Sequence, residues 1–269
     1  MPEIIILKRG EMAALDAVQP GFAHGYGLFE TIKLAHGRLC FWEAHYSRLS
    51  KSAAVLGLKL VHGPAAILGA VRKLADKEGI SDGIIKLSLL KEAAGARLYV
   101  YTRPSLPQPK QVYLQLDPTC PLNEHSILAG HKTHNYMENV LLLERARAGG
   151  YADVIRMNTS GALAETTMGN LFYRKDGAWF TPSVSTGILP GIVRQALLET
   201  LKVTACEEPA GILRHVEEVF ITNSSAGVLP VDRITGQDGE HIYHCRSHQQ
   251  THAVARTLAR IEQEHSCKI

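Results

Sequence analysis

Apolar residues along the chain follow two rhythms. Short runs such as "EIIILKRG" (3–10) and "LFETIKLAHGRLCFW" (28–42) are rich in β-branched and aromatic residues and predict strands near the N-terminus. In "EAHYSRLSKSAAVLGL" (43–58), Tyr46, Leu49, Ala53 and Leu56 return at three- and four-residue spacing, which predicts a helix with one apolar face. "PAAILGAVRKLADKEG" (64–79) predicts a second helix, and "GIIKLSLLKE" (83–92) with "ARLYVYTRP" (96–104) predicts a strand pair.

The three prolines of "PSLPQPKQ" (104–111) are incompatible with a helix interior or a central strand. They divide the chain into an N-terminal domain over 1–106, a linker over 107–111 and a larger domain over 112–269. In the second part, strands are predicted at "QVYLQLD" (111–117), "DVIRMN" (153–158), "LFYRKDGAWFTP" (171–182) and "EEVFITNS" (217–224). A helix is predicted after "ILPG" (188–191), and a polar helix near the C-terminus. Another is predicted in "HKTHNYMENVLLLERARAGG" (131–150): Asn135 and Glu138 have the spacing of an N-cap and its N3 partner, and Gly149-Gly150 stop it.

Composition narrows the function classes. The formal charge of +3 is spread along the chain with no basic block, so no nucleic-acid footprint is indicated, while small anionic ligands stay possible. Five scattered cysteines with no CxxC pair argue against a disulfide framework or a cysteine-ligated zinc and fit a reducing cytoplasm. The first apolar run is too short for a signal peptide, and nowhere do 18 apolar residues run uninterrupted, so neither export nor membrane insertion is expected. His244, His248 and His252 stand four apart and could line a helix face; a solvated face is preferred to a metal site, and no metal is expected.

Lys132 raises the sharpest chemical question. If the helix begins near it, Lys132 meets the positive end of the helix dipole, where a charge-balancing lysine does not belong. In that setting Tyr136 would share its face, and the helix terminus would help the amine lose its proton and act as a nucleophile. Taken alone, the spacing favours a solvated lysine beside a core tyrosine, because such pairs are commonplace.

Three motifs change that balance. "GALAETTMGNLFYRKDGAWFTPSVSTGILPGIVRQALLE" (161–199), with "HKTHNYMENVLLLERA" before it and "EVFITNSSAGVLPV" after it, resembles the aminotransferase class IV family of pyridoxal-phosphate enzymes. The likeness extends upstream through "GYGLFETIKLAHGRLCFWEAHYSRLSKSAAVLGL" (25–58). It implies a two-domain α/β (α+β) fold of type IV, with the cofactor between a smaller N-terminal and a larger C-terminal domain, and a homodimer acting on a small-molecule substrate.

Carried over by position, the resemblance makes Lys132 the lysine that joins the cofactor covalently and shuttles the substrate proton. It makes Tyr136 the partner of the cofactor's phenolic oxygen and Glu165 the carboxylate facing the pyridine nitrogen. Arg48 would contact the phosphate, as would the backbone N–H groups of Ile192 and Val193 at a helix start and the hydroxyls of Ser224 and Ser225.

Within the family, "GYGLFETIK", "FITNSSAGVLPV" and Lys86 in "IIKLSLL" look most like aminodeoxychorismate lyase, which yields 4-aminobenzoate and pyruvate. The alternatives are a branched-chain or D-amino-acid transaminase and a non-catalytic cofactor-binding protein. Relatives carry an Arg-x-Tyr or Arg-x-His loop for a substrate carboxylate; here "LLKEAAGARLYVYTRP" is shorter, and Arg97 and Tyr99 read as strand residues. Lys86 and Arg97 are the candidates for substrate binding, and Lys86, Lys91 or a partner subunit's loop could replace the missing loop.

Overall fold

The computed structural model describes residues 4–12, 17–105 and 107–269. Glu3, at the start of the first predicted strand, and Leu106, at the predicted domain edge, lie outside the described residues. The fold is mixed α/β, with two mixed sheets in two compact units. The first unit comprises Met1–Leu106, His131–Asn135 and Glu262–Ile269, and the second Pro107–Gly130 and Tyr136–Ile261.

The first unit holds a six-stranded sheet in the order Ile5–Leu7, Gly95–Arg103, Gly83–Glu92, Gly27–Ala35, Arg38–Cys40, Ser266–Lys268. Alternation along the strands sorts the side chains. Leu28, Ile32, Ile85, Leu87, Leu89, Leu98 and Val100 form a buried core with the predicted helices, which run Trp42–Val55 and Pro64–Glu78. The opposite face carries Phe29, Thr31, Lys86, Ser88, Arg97, Tyr99 and Tyr101. Glu92 pairs with Gly95 across a tight turn, so the strand pair is a short hairpin with no long loop.

The second unit is built on a larger sheet in the order Val203–Cys206, Ala178–Pro182, Asn170–Lys175, Leu163–Thr166, Asp153–Asn158, Tyr113–Leu122, Arg233–Thr235, His241–His244. Glu218–Asn223 pairs with both Asn170–Lys175 and Gly227–Pro230. Helices Met137–Ala148 and Ile192–Thr200 flank these strands in sequence, and a polar helix runs Gln249–Glu264. Of the three spaced histidines, His244 is on a strand, His248 precedes the last helix and His252 is inside it, so they do not share one helix face.

The helix after Lys132 begins later than its sequence suggests. It starts at Met137, with Tyr136 in the N-cap position and no side-chain cap. The predicted capping box does not form: the Asn135 side-chain amide donates to the Gly25 carbonyl, and Glu138 pairs with Arg156. Residues before the helix are instead drawn into sheet-like pairing. Phe29 N–H donates to Lys132 O at 2.9 Å, His134 N–H donates to Gly27 O at 2.9 Å, and Leu28 bridges Thr133. Lys132 is therefore neither at a helix start nor on a helical face shared with Tyr136, and the dipole argument for its placement is overturned.

Candidate active site

In the first unit, pairing to the Gly27–Ala35 strand places Lys132 with its Nζ 4.4 Å from the Phe29 ring centroid. Lys86 Nζ lies 4.1 Å from the same centroid. Lys86 is in register with Thr31 and donates to its hydroxyl at 2.6 Å, although the lysine is only 7% exposed. Burial, then the charges of Lys132 and Arg103, push its pKa down to about 7 against the pull of Glu30. His134 stacks obliquely on Phe29 at 5.2 Å, and burial followed by the Lys86 charge lowers its pKa to about 4. These groups give the strand face a strong bias toward neutral bases and anionic ligands. Arg97 shares the face by alternation, at the far end of the hairpin, and pairs with Glu92 at 2.9 Å.

Glu30 sits on the core side of the same strand and is 1% exposed, so its carboxylate needs partners within the protein. Arg48 supplies two hydrogen bonds in a side-on pair, at 2.8 Å and 2.7 Å, and His45 Nδ1 donates at 2.7 Å. Burial alone would raise the Glu30 pKa; Arg48 and His45 outweigh it and hold the carboxyl well below the usual range. Arg48, picked out in the sequence for a phosphate, is thus fixed from behind by a buried acid that sequence reasoning missed. The signal was present as spacing, since Glu30 falls on the apolar side of a strand's alternation.

In the second unit, Glu165 lies on the Leu163–Thr166 strand with both carboxylate oxygens engaged. Asn170 Nδ2 donates to one at 2.9 Å and Leu189 N–H to the other at 3.1 Å. Asn170 also donates to the Leu189 carbonyl at 2.8 Å and is the register partner of Thr222. Its Oδ1 would lie 2.0 Å from a Cβ built on Gly191, so any side chain there would displace Asn170 from its bonds. Gly191 is the N-cap of the Ile192–Thr200 helix and offers no side-chain cap. The amides of Ile192 and Val193 consequently open a helix without intrahelical acceptors, an arrangement suited to an anion.

Thr222 Oγ1 is buried with no hydrogen-bond partner, an orphaned polar group on the strand leading to Ser224. Ser224 is half-buried, whereas the exposed Ser225 donates its hydroxyl to Asn223. Tyr136 donates to the Thr167 carbonyl at 3.2 Å, beside Asn139, which donates to the same oxygen at 2.7 Å. Buried Asp153 anchors that turn by accepting from the Thr167 and Met168 amides. The unit therefore offers a fixed carboxylate, an uncapped helix start, a phenol and an orphaned hydroxyl, a set that fits a phosphorylated pyridine. Asn139 and Asp153 went unread because they act on the turn at Thr167, well removed in sequence, and Asn170 because its link from Glu165 to the Leu189 carbonyl exists only in the fold.

Known proteins resemble this chain over most of its length. The amino-transferase class IV family matches residues 27–234. D-alanine aminotransferase of Bacillus licheniformis is 28% identical over 247 residues, covering 86% of this chain and 87% of that protein. Aminodeoxychorismate lyase of Vibrio harveyi is 27% identical over 250 residues, covering 81% and 87%. The solved branched-chain amino acid aminotransferase of Escherichia coli superposes with a TM-score of 0.83 at 21% identity, covering 93% of this chain and 89% of that one, a likeness of fold.

Proposed function

The chain belongs to the amino-transferase class IV family of enzymes, and on that premise we propose that it is a pyridoxal-phosphate-dependent lyase converting 4-amino-4-deoxychorismate to 4-aminobenzoate and pyruvate. The observation that carries the lyase reading is Lys86, a buried amine that shares the Phe29 ring with Lys132 and, when it takes up a proton, suits a substrate carboxylate. The aminodeoxychorismate lyase relative supports it.

When bound, the cofactor supplies an aldehyde for the substrate amine and a ring that accepts the electrons released on deprotonation. The protein's residues do the rest. Lys132 holds the cofactor covalently, then takes the substrate ring proton at its Nζ. Glu165, kept in place by Asn170 and the Leu189 amide, keeps the pyridine nitrogen protonated. Tyr136 orients the phenolic oxygen. Arg48, the Ile192 and Val193 amides, and the Ser224 and Ser225 hydroxyls hold the phosphate, with Thr222 Oγ1 available to join them.

The D-alanine aminotransferase relative favours a second reading, transamination with Lys132 moving a proton between two carbons. Turnover without a keto-acid acceptor separates the two. A lyase releases pyruvate and 4-aminobenzoate in equal amounts through many cycles; a transaminase stalls after one equivalent of amino acid and resumes when a keto acid is added.

The working unit is read as a homodimer in the cytoplasm. Met137, Val140 and Leu141 are 76%, 40% and 45% exposed and lie three and four apart on one helix, an apolar stripe of the kind a second copy covers. Among the described residues no helix is long and apolar enough to cross a membrane. Sedimentation at micromolar concentration tests the assembly.

A further inference from the structure

Outside the residues assigned above, three side chains from separate places in the second unit meet in a line. Cys245 follows the His241–His244 strand, His248 precedes the last helix, and Asp232 precedes the Arg233–Thr235 strand. The Cys245 sulfur lies 3.2 Å from His248 Nδ1, and His248 Nε2 lies 3.1 Å from Asp232 Oδ1. Asp232 is itself fixed: its other oxygen accepts from the Val112 amide at 2.7 Å, and its carbonyl accepts from the Cys245 amide at 2.8 Å. An N–H on Nε2 facing the acid leaves the Nδ1 lone pair facing the thiol, the order of a nucleophile, its base and the group that orients the base.

The other four cysteines have different surroundings. Burial pushes the Cys40 thiol up to about 11. Burial and the hydrogen-bonded Glu138 carboxylate raise Cys120. Cys206 meets the Tyr173 phenol, and Cys267 meets a backbone carbonyl. Cys245 is half-buried and has a further donor in Tyr243, whose pKa is raised by burial and by its hydrogen bond to this sulfur. When protonated, the thiol has the Ser247 carbonyl as an alternative acceptor at 3.1 Å.

We propose that Cys245 is a reactive thiol that exchanges with low-molecular-weight disulfides, with His248 as its base and Asp232 holding His248 in place. The Cys245 proton passes to His248 Nδ1, and the sulfur attacks one sulfur of R–S–S–R. A Cys245–S–S–R bond forms as the original S–S bond breaks, and the departing thiolate takes the proton from His248 and leaves as R–SH. The electrons balance without another oxidant, and the site is independent of the residues assigned to the cofactor.

The test treats the reduced full-length protein, with pyridoxal phosphate added, with oxidised glutathione at pH 7 and follows each cysteine by peptide mass. Cys245 is expected to be modified roughly tenfold faster than Cys120 or Cys267. His248→Gln should bring it down to their rate, and Asp232→Asn should give an intermediate rate. Unchanged rates at Cys120 and Cys267 report an intact fold in the variants. Equal rates for Cys245 and Cys120 in the unsubstituted protein, or an unchanged Cys245 rate in a folded His248→Gln variant, would overturn the proposal.

Discussion

The carbonyl of Lys132 accepts the amide of Phe29 at 2.9 Å, and the Lys132 amine lies 4.4 Å from the centre of the Phe29 ring. One strand residue thus fixes both the backbone and the side chain of the lysine. Lys132 owes its position to strand pairing, and a second lysine, Lys86, lies 4.1 Å from the centre of the same ring.

That second lysine carries a pH signature. With its pKa near 7 in the folded protein and about 10.5 when unfolded, Lys86 binds fewer protons folded than unfolded across that interval. Its contribution to stability therefore rises with pH from about 7 to about 10.5, by at most about 1.4 kcal/mol per pH step, and the penalty for burying its charge is fully present below pH 7. Chemical denaturation of the wild type and Lys86→Met at pH 7 and pH 9 should show that the gap between them narrows as pH rises. A constant gap would contradict the buried, proton-poor lysine.

Arg48 pairs with Glu30, and the phosphate contact proposed for it is separable from that pair. Arg48→Ala should loosen the cofactor by about 10- to 100-fold through loss of charge-assisted contacts. It should also cost roughly 3 kcal/mol of stability, because Glu30 is left as a buried, poorly compensated carboxylate. Adding Glu30→Gln to Arg48→Ala should recover part of the melting temperature while cofactor affinity stays low. Recovery of both would mean that Arg48 acts only through the fold.

Glu165→Gln should retain the cofactor and lose about 100-fold in kcat, since a neutral amide occupies the same space without stabilising a protonated ring nitrogen. Asn170→Ala removes the donor to Glu165 and leaves an empty space against Gly191, so both kcat and cofactor affinity should fall. Equilibrium titration beside steady-state rates distinguishes the two variants. Unchanged kcat in Glu165→Gln would remove the carboxylate from the chemistry.

Much of the fold was legible because it is written in local periodicity. Tyr46, Leu49, Ala53 and Leu56 mark the helix over Trp42–Val55, and Gly149 ends the helix that contains Leu142 and Leu143. The segment before Met137 misled because Asn135 and Glu138 imitate a capping box, whereas the winning interaction is pairing with residues about a hundred positions earlier. The Ser266–Lys268 strand is similarly invisible, since its partner Arg38–Cys40 lies at the other end of the chain. Lys132, Tyr136 and Glu165 could be named as candidates from their motifs alone, and their proposed roles await test. Glu30, His45 and Asn170 could not, because their roles exist only in the side chains they hold.

The most direct test of this account is reduction of the cofactor-loaded protein with borohydride, followed by peptide mapping of the lysine that retains the pyridoxyl group. Label on Lys132 alone, and no label in Lys132→Ala, is the predicted result. Label on Lys86 in the unsubstituted protein would contradict it, for the two amines flank one ring and only one of them is assigned the covalent role.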